Sequence, residues 1–264
     1  MSKADSKPSF VTLITDWGQH DYYCGMLKGR IVSTCSNIQI VDISHSIPSF
    51  NIHHAAFVLK HSYHNFPKGT IHVVLVNTED SEHSHLLLLE EHGHFFVLPD
   101  NGMLGLLFNT NPDNIFQAKY NGTGSFASLD GFVNIIKKLN DGEPIHSIGQ
   151  KTDEYSEKIA LRATIDDAVI NGSIIYIDSY KNVITNISRS LFDRISNNRN
   201  FKIYVQSKYN MISKISDTYN QVDQGELFAL FNSANLLEIG IRNGYAAELL
   251  NLGTGGNVRI DFLE

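Results

Sequence analysis

The sequence predicts an α/β domain with a mainly parallel sheet, followed by a smaller all-β, barrel-like domain. Three observations predict it. From residue 9 to about 150, apolar strand-like runs alternate with helical stretches, the pattern of layered α/β domains. A polar stretch from Gln150 to Lys158, with five charged residues and no strong periodicity, then interrupts the alternation. Beyond it, short β-rich runs separated by turns follow one another, as in small barrels and sandwiches. The expected organisation is an N-terminal domain over 8–150, a linker over 151–163 and a C-terminal β domain over 164–264.

The elements can be justified in order. Phe10 to Thr15 is a short apolar run, the signature of a buried strand, and it delivers two carboxylates, Asp16 and Asp21, into one turn. Gly18 permits an unusual backbone shape in that turn, and Asp21 stands where a side-chain oxygen caps a helix over 21–35. Strands over Ile38 to Ile43, Thr70 to Val76, His85 to Leu89 and Phe95 to Leu98 alternate with helices over 51–64 and 129–140. Turns at the ends of such strands are where open α/β sheets bind ligands. The second half offers strands at Gly172 to Asp178, Asn182 to Ile187, Phe201 to Val205, Glu226 to Phe231, Leu236 to Gly240 and Asn257 to Phe262.

Bulk properties narrow the function classes. The 264 residues are 42% hydrophobic, enough to bury a sizeable core. The formal charge is −7, and the Lys and Arg residues form no stripe, which argues against a nucleic-acid partner. The N-terminus is short and polar without an apolar core, and no run approaches the ~20 apolar residues of a membrane span, so a cytoplasmic protein is expected. Cys24 and Cys35 lie eleven residues apart in one expected helix, about 16 Å and too far for a disulfide. The twelve histidines include His83-x-His85 and His92-x-His94, but no spaced carboxylate completes a zinc set, and His92-Gly93-His94 reads as a hairpin tip. His53, Phe57, His61 and His64 follow helical spacing, as on a half-exposed helix face. No metal and no resident cofactor are expected.

Several motifs carry a specific resemblance. The first turn reads T-D-W-G-x-x-D-Y-Y-x-G-x-x-K-G from Thr15 to Gly29. It is followed by Ile40-Val41-Asp42-Ile43-Ser44-His45-Ser46-Ile47-Pro48, by Phe66-Pro67-Lys68-Gly69-Thr70-Ile71-His72 and by Pro99-Asp100-Asn101-Gly102. The second half has Tyr176 to Ile187, with Asp178 and Asn182 in a Y-x-D-x-Y-K-N-x-x-T-N-I pattern, then Asn232-Ser233 with Leu237-Glu238-Ile239, and Gly244 to Ala247. Together these resemble, in order and over nearly the whole chain, the S-adenosylmethionine hydroxide adenosyltransferases, the family that includes the fluorinating and chlorinating enzymes.

The resemblance implies S-adenosylmethionine as substrate or ligand, and a homotrimer in which ligand lies between the N-terminal domain of one subunit and the C-terminal domain of its neighbour. It implies that Asp16 accepts from both ribose hydroxyls, that Asp21, Asp178 and Ser233 hold the methionine end, and that Asn182 bonds the adenine edge. Carboxylates suit the first two tasks, since one can accept from vicinal hydroxyls and another can pair with an ammonium. Phe50 stands where some halogenating relatives have a Trp, and its ring either stacks on the nucleoside or covers the core. Asp100-Asn101-Gly102 reads as turn chemistry. The Arg that follows the Ser in halogenating relatives is Ala234 here, and Arg242 lies nearby in sequence.

The catalytic pattern departs from the family. Hydrolysis needs an oriented, activated water in line with the departing sulfur. Hydrolysing relatives use an Asp, an Arg and a His for this, and the corresponding positions here are Asn77, Ser84 (His85 with a one-residue slip) and Ala127. Two readings stay open. Either Asp80, Glu82, His83 or His85 supplies a new base, or the protein binds S-adenosylmethionine or adenosine without turning it over. Ser128 aligns with a halide-contacting Ser of the fluorinating enzyme, but Asp80 falls near that pocket and would repel an anion. The candidate reaction residues are therefore Asn77, Asp80, His85 and Ser128.

Overall fold

The computed structural model describes residues 9–78, 85–108, 112–120 and 126–263. The chain divides into two units, Met1–Ile159 and Ala160–Glu264.

The first unit is the α/β domain that the apolar alternation predicts. Its seven strands are β1 (Ser9–Thr15), β2 (Ile38–Ser44), β3 (Ile71–Leu75), β4 (His85–Glu91), β5 (His94–Pro99), β6 (Ile115–Lys119) and β7 (Gln150–Lys151), in the sheet order β2-β1-β3-β5-β4-β6-β7. β2, β1, β3 and β5 are joined by parallel pairings, and the remaining pairings are antiparallel. β4 and β5 are linked by His92 and Gly93, both at positive φ, which is the two-residue hairpin geometry that matches strand twist. The helices are α1 (Tyr22–Thr34), α2 (Ile52–Ser62), α3 (Met103–Leu107), α4 (Ala127–Asn140) and α5 (Ile145–Ile148).

Strand periodicity explains how one short run serves two cores. Val11 and Leu13 of β1 face a layer containing Leu27 and Ile31 of α1 and Phe132 and Ile136 of α4. Ile14 faces the opposite layer, with Ala55, Ala56 and Leu59 of α2 and Leu104 and Leu107 of α3. With both faces covered, the strand reads as a continuous apolar run rather than an alternating one. Each fully buried Leu or Ile contributes roughly 1.5–3 kcal/mol over an exposed one, so these layers fix the strand ends that carry the polar turns.

The expected linker is shared between the units. Gln150 and Lys151 pair with Gln117 and Phe116, and Ser156 donates its backbone N–H to Asp100 Oδ1 at 2.7 Å. Gly102 and Gly105 leave room for Lys158, whose side chain and carbonyl would meet any Cβ added there. Charged composition suggested a tether, but the backbone of these residues finds partners in the first unit.

The second unit contains β8 (Thr164–Asp166), β9 (Val169–Ile177), β10 (Val183–Ser188), β11 (Phe201–Val205), β12 (Ser207–Ile212), β13 (Leu227–Phe231), β14 (Leu236–Ile241) and β15 (Asn257–Phe262), with helices α6 (Arg189–Ser196) and α7 (Ala246–Leu249). The order is β12-β11-β15-β9-β10-β14-β13, with β8 added on β9, and every pairing is antiparallel. Ile215, just beyond β12, bridges to Ala229 of β13, so the two ends of the sheet approach and the unit is barrel-like. Ile170, Ile174, Val183, Ile203, Ile239 and Ile260 fill its interior.

Candidate functional site

In the first unit the parallel strands all end at one edge, and a single carboxylate ties the loops there together. Asp16 follows β1 directly. Its Oδ2 accepts the backbone N–H of Phe50 at 2.8 Å, from the loop after β2, and that of Asn77 at 3.4 Å, from the loop after β3. Phe50 and Asn77 both have positive φ, 65° and 52°, which turns their N–H groups toward the carboxylate. A carboxylate receiving N–H donors at strand ends is a favourable charge-assisted arrangement, and Asp16 itself remains half-buried.

Neighbouring bonds lock the same edge. Thr15 Oγ1 meets His45 Nδ1 at 2.9 Å, and Gly18 N–H donates to the His45 carbonyl at 2.8 Å. His45 Nε2 lies 3.1 Å from Asp42 Oδ1, while Lys28 Nζ lies 2.6 Å from Asp42 Oδ2. Burial opposes charge on Asp42, but Lys28 and His45 outweigh it and hold the carboxyl below its ordinary range. Asn101 donates from Nδ2 to the carbonyls of Val76 and Asn77 at 3.0 and 3.1 Å, tying in the loop after β5. Asp100 is buried and accepts from Ser156 N, so the Asp-Asn-Gly turn does structural work at this edge.

The other first-unit candidates are arranged around this centre. Asp21 takes the N-cap position of α1 with extended backbone, but its side chain makes no capping bond, contrary to the capping role expected of it, and it is exposed. Trp17, beside Asp16, packs edge-on against Phe126 at 5.7 Å, and Tyr23 stacks on Phe126 at 4.5 Å. These rings bring the start of α4, with the buried Ser128, beside the Asp16 turn. Phe50 is 72% exposed, so its ring does not cover the core of this unit. His85 opens β4, which runs antiparallel to β5, so it lies at the same edge of the sheet, beyond β5. Asp80 lies outside the described residues, as do Glu79, Glu82, His83 and Ser84.

The second unit builds its candidates on a buried side-chain network. Asp178 opens the turn after β9, and its Oδ1 accepts the backbone N–H of Asn182 at 2.8 Å. Asn182 is buried, and its Nδ2 donates to Glu238 Oε1 at 3.1 Å and reaches Asp178 Oδ2 at 3.5 Å. Glu238, on β14 and only 3% exposed, also accepts from Tyr219 Oη at 3.1 Å and from Asn232 Nδ2 at 3.2 Å. Asn232 Oδ1 in turn accepts from the N–H groups of Ala234 and Leu236, which shapes the turn carrying the exposed Ser233. Burial pushes the Glu238 carboxyl up, although its hydrogen bonds pull the other way, and burial with the Glu238 charge pushes Tyr219 up to about 12.

Motif resemblance points to Asp178, Asn182 and Ser233 but to no role for Glu238, Tyr219 or the Asn232 side chain. The available signal was a lone carboxylate within the apolar run Leu236 to Ile241, which an apolar strand accommodates only when it is bonded. Arg242 donates to the Val222 carbonyl at 2.5 Å and acts as a peg for that loop. Among the described residues, no group of three or more His, Cys, Asp or Glu side chains could hold a metal ion, and no helix is long and apolar enough to cross a membrane.

Comparison with known proteins finds similarity in both units. Residues 11–149 match the model of the SAM hydroxide adenosyltransferase N-terminal domain, and residues 172–259 match that of its C-terminal domain. The chain is similar to an (R)-S-adenosyl-L-methionine hydrolase of Methanocaldococcus jannaschii, 28% identical over 257 residues and 92% of each chain. It is also similar to a fluorinase of Actinopolyspora mzabensis, 20% identical over 300 residues, covering 98% of this chain and 99% of that one. Among solved structures, a conserved protein from Thermotoga maritima superposes with a TM-score of 0.85 at 25% identity, covering 96% of this chain and 99% of that one.

Proposed function

Because this chain belongs to the S-adenosylmethionine hydroxide adenosyltransferase family, we propose that it binds S-adenosylmethionine and hydrolyses it to adenosine and L-methionine. The observation that carries this reading is Asp16, whose Oδ2 is held by two backbone N–H groups at the ends of the parallel strands while the side chain stays partly open. Oδ1 is then the acceptor for the ribose hydroxyls. Phe50 offers its exposed ring to the nucleoside, and Asp21, which caps nothing, is available to the methionine end. In the second unit, Asp178 and Ser233 meet the methionine head, and Asn182 serves the adenine edge chiefly by its placement, since its amide hydrogens point to Asp178 and Glu238. The active form is a cytoplasmic homotrimer in which one copy's first unit and a neighbour's second unit share the ligand.

In the reaction a water oxygen forms a bond to ribose C5′ as the C5′–S bond breaks. The bonding pair leaves on sulfur, which becomes the neutral thioether of methionine, and the water gives up one proton to a base. Asn77 and Ser128 line the approach, and His85 or Asp80 takes the proton as general base.

A second reading is favoured by one specific observation. Asn77, Ser84 and Ala127 stand where hydrolysing relatives carry Asp, Arg and His, and none of the three can serve as the base. In that reading the protein binds S-adenosylmethionine or adenosine as a sensor, with affinity but without chemistry.

Calorimetric titration with both ligands, combined with chromatographic detection of adenosine, separates the readings. Binding with adenosine release supports hydrolysis. Binding without product supports the sensor, and joint Asn77→Asp, Ser84→Arg and Ala127→His replacement should then confer turnover. Lack of heat with either ligand at millimolar concentration removes the proposal. Asp16→Ala should weaken binding by about 2–4 kcal/mol, roughly 30- to 1,000-fold, through loss of the charge-assisted contact to the ribose hydroxyls.

A further inference from the structure

Glu238 does more than fill a polar gap in β14. Each of its oxygens is met only by donors: Asn182 Nδ2 and Tyr219 Oη on Oε1, and Asn232 Nδ2 on Oε2. A protonated carboxyl would need an acceptor for its own hydrogen, which the amide nitrogens of Asn182 and Asn232 cannot provide, and with Tyr219 Oη donating to Oε1 the bonding pattern is that of the carboxylate. No Lys, Arg or His side chain bonds to it among the described residues. One amide nitrogen, Asn182 Nδ2, separates it from the Asp178 carboxylate, so two negative groups stand in series with three neutral donors around the inner one.

The three donors come from separate segments: the turn before β10, the loop carrying Tyr219 and the end of β13. Two of them lead to candidate ligand groups. Asn182 holds Asp178 by its backbone N–H, and Asn232 holds the turn of Ser233 through the amides of Ala234 and Leu236. Gly240, the strand neighbour of Phe228, leaves the space in which Asn182 Oδ1 rests, because a Cβ there would collide with both residues. The Asn182 amide therefore has a fixed orientation, with nitrogen toward the carboxylates.

We propose that Glu238 is a positioning residue that sets Asp178 and the Ser233 turn for the ligand, and that its charge behind Asp178 makes this half of the site select a cationic methionine end over a neutral nucleoside. The inference rests on the reading of the protein as an S-adenosylmethionine binder. S-adenosylmethionine carries a sulfonium and an ammonium against one carboxylate, whereas adenosine carries no charge. A stacked pair of carboxylates distinguishes the two by attraction at a distance as well as by contact.

The test compares wild type, Glu238→Gln and Tyr219→Phe with S-adenosylmethionine and adenosine as separate calorimetric probes. Amide hydrogen exchange at Ala234 and Leu236 is measured on the ligand-free protein. Glu238→Gln should weaken S-adenosylmethionine at least 10-fold and adenosine less than 2-fold, with faster exchange at both amides. Tyr219→Phe, which keeps the charge, should leave the ratio of the two affinities unchanged. Equal loss for both ligands in Glu238→Gln, or an equal change of ratio in both variants, overturns the electrostatic role. Unchanged exchange overturns the positioning role. A wild-type protein that binds neither ligand overturns the functional reading and the selectivity with it, while exchange still decides whether Glu238 sets the turn.

Discussion

The two units each bury a polar cluster, and they resolve the burial in opposite ways. In the first unit, His72 of β3 is fully buried and shares Nδ1 with Thr12 Oγ1 at 2.7 Å and Nε2 with His94 Nδ1 at 3.2 Å. Burial, then the nearby His94 and His64, push the His72 pKa down to about 3, so this cluster is built for neutral imidazoles. In the second unit, Glu238 is surrounded by donors and built as a carboxylate, with burial pushing its pKa up. The first cluster sits at the amino ends of β3 and β5, away from Asp16, whereas the second lies directly behind Asp178. Neutral packing serves stability in one unit, and buried charge stands next to the proposed ligand groups in the other.

Acid should break this symmetry most strongly. His72 binds its proton near pH 6.5 when unfolded and near 3 when folded, so the unfolded chain takes up the proton first. The stability contribution is therefore complete above about pH 6.5 and is lost as pH falls toward 3, on the order of 3–5 kcal/mol. Glu238 has the opposite sign, because its folded pKa is raised: the native state gains the proton first, and falling pH relieves the second unit. Trp17 is the single tryptophan and lies in the first unit, so its fluorescence during urea unfolding at pH 7 and pH 4.5 reports the loss there. NMR signals of the Ile239 methyls report the second unit. A first unit whose midpoint does not move would show that the imidazole pair is not the acid-sensitive element.

A smaller effect sharpens the second half of the comparison. Gly240→Ala places a methyl against Asn182 Oδ1 and the Phe228 ring. Overpacking of this kind costs about 1–3 kcal/mol, read as a lowered thermal midpoint. The first unit should show the smallest change, at its exposed charges. Lys28 and Asp42 form a pair at 2.6 Å with both side chains more than a third exposed, so Lys28→Ala should cost no more than ~1 kcal/mol by chemical denaturation.

The fold was largely legible because burial on both sheet faces leaves continuous apolar runs, and Phe10 to Thr15 and Thr70 to Val76 show this. Short elements such as β7, β8, β12 and α7 were not, because two to six residues carry too little periodicity, and pairing with neighbours decides them. At the candidate site, Asp16, Asp178 and Ser233 stand within motifs that resemble the family's, and their assignment comes from that resemblance. Glu238 could not, since its significance lies in three partners from distant segments, Asn182, Tyr219 and Asn232. Asp21 illustrates the converse: local spacing gave its N-cap position but not the orientation of its side chain.

Asp16 grips the main chain of Phe50 and Asn77 rather than their side chains. The loops after β2 and β3 are thus anchored by atoms that every residue except proline possesses. Descent with modification can exchange the side chains at 50 and 77 without releasing the anchor, so long as each newcomer tolerates left-handed backbone, as Asn does readily. A lineage built on such an anchor can exchange the side chain at position 77 while the anchored strand-end loops are inherited unchanged.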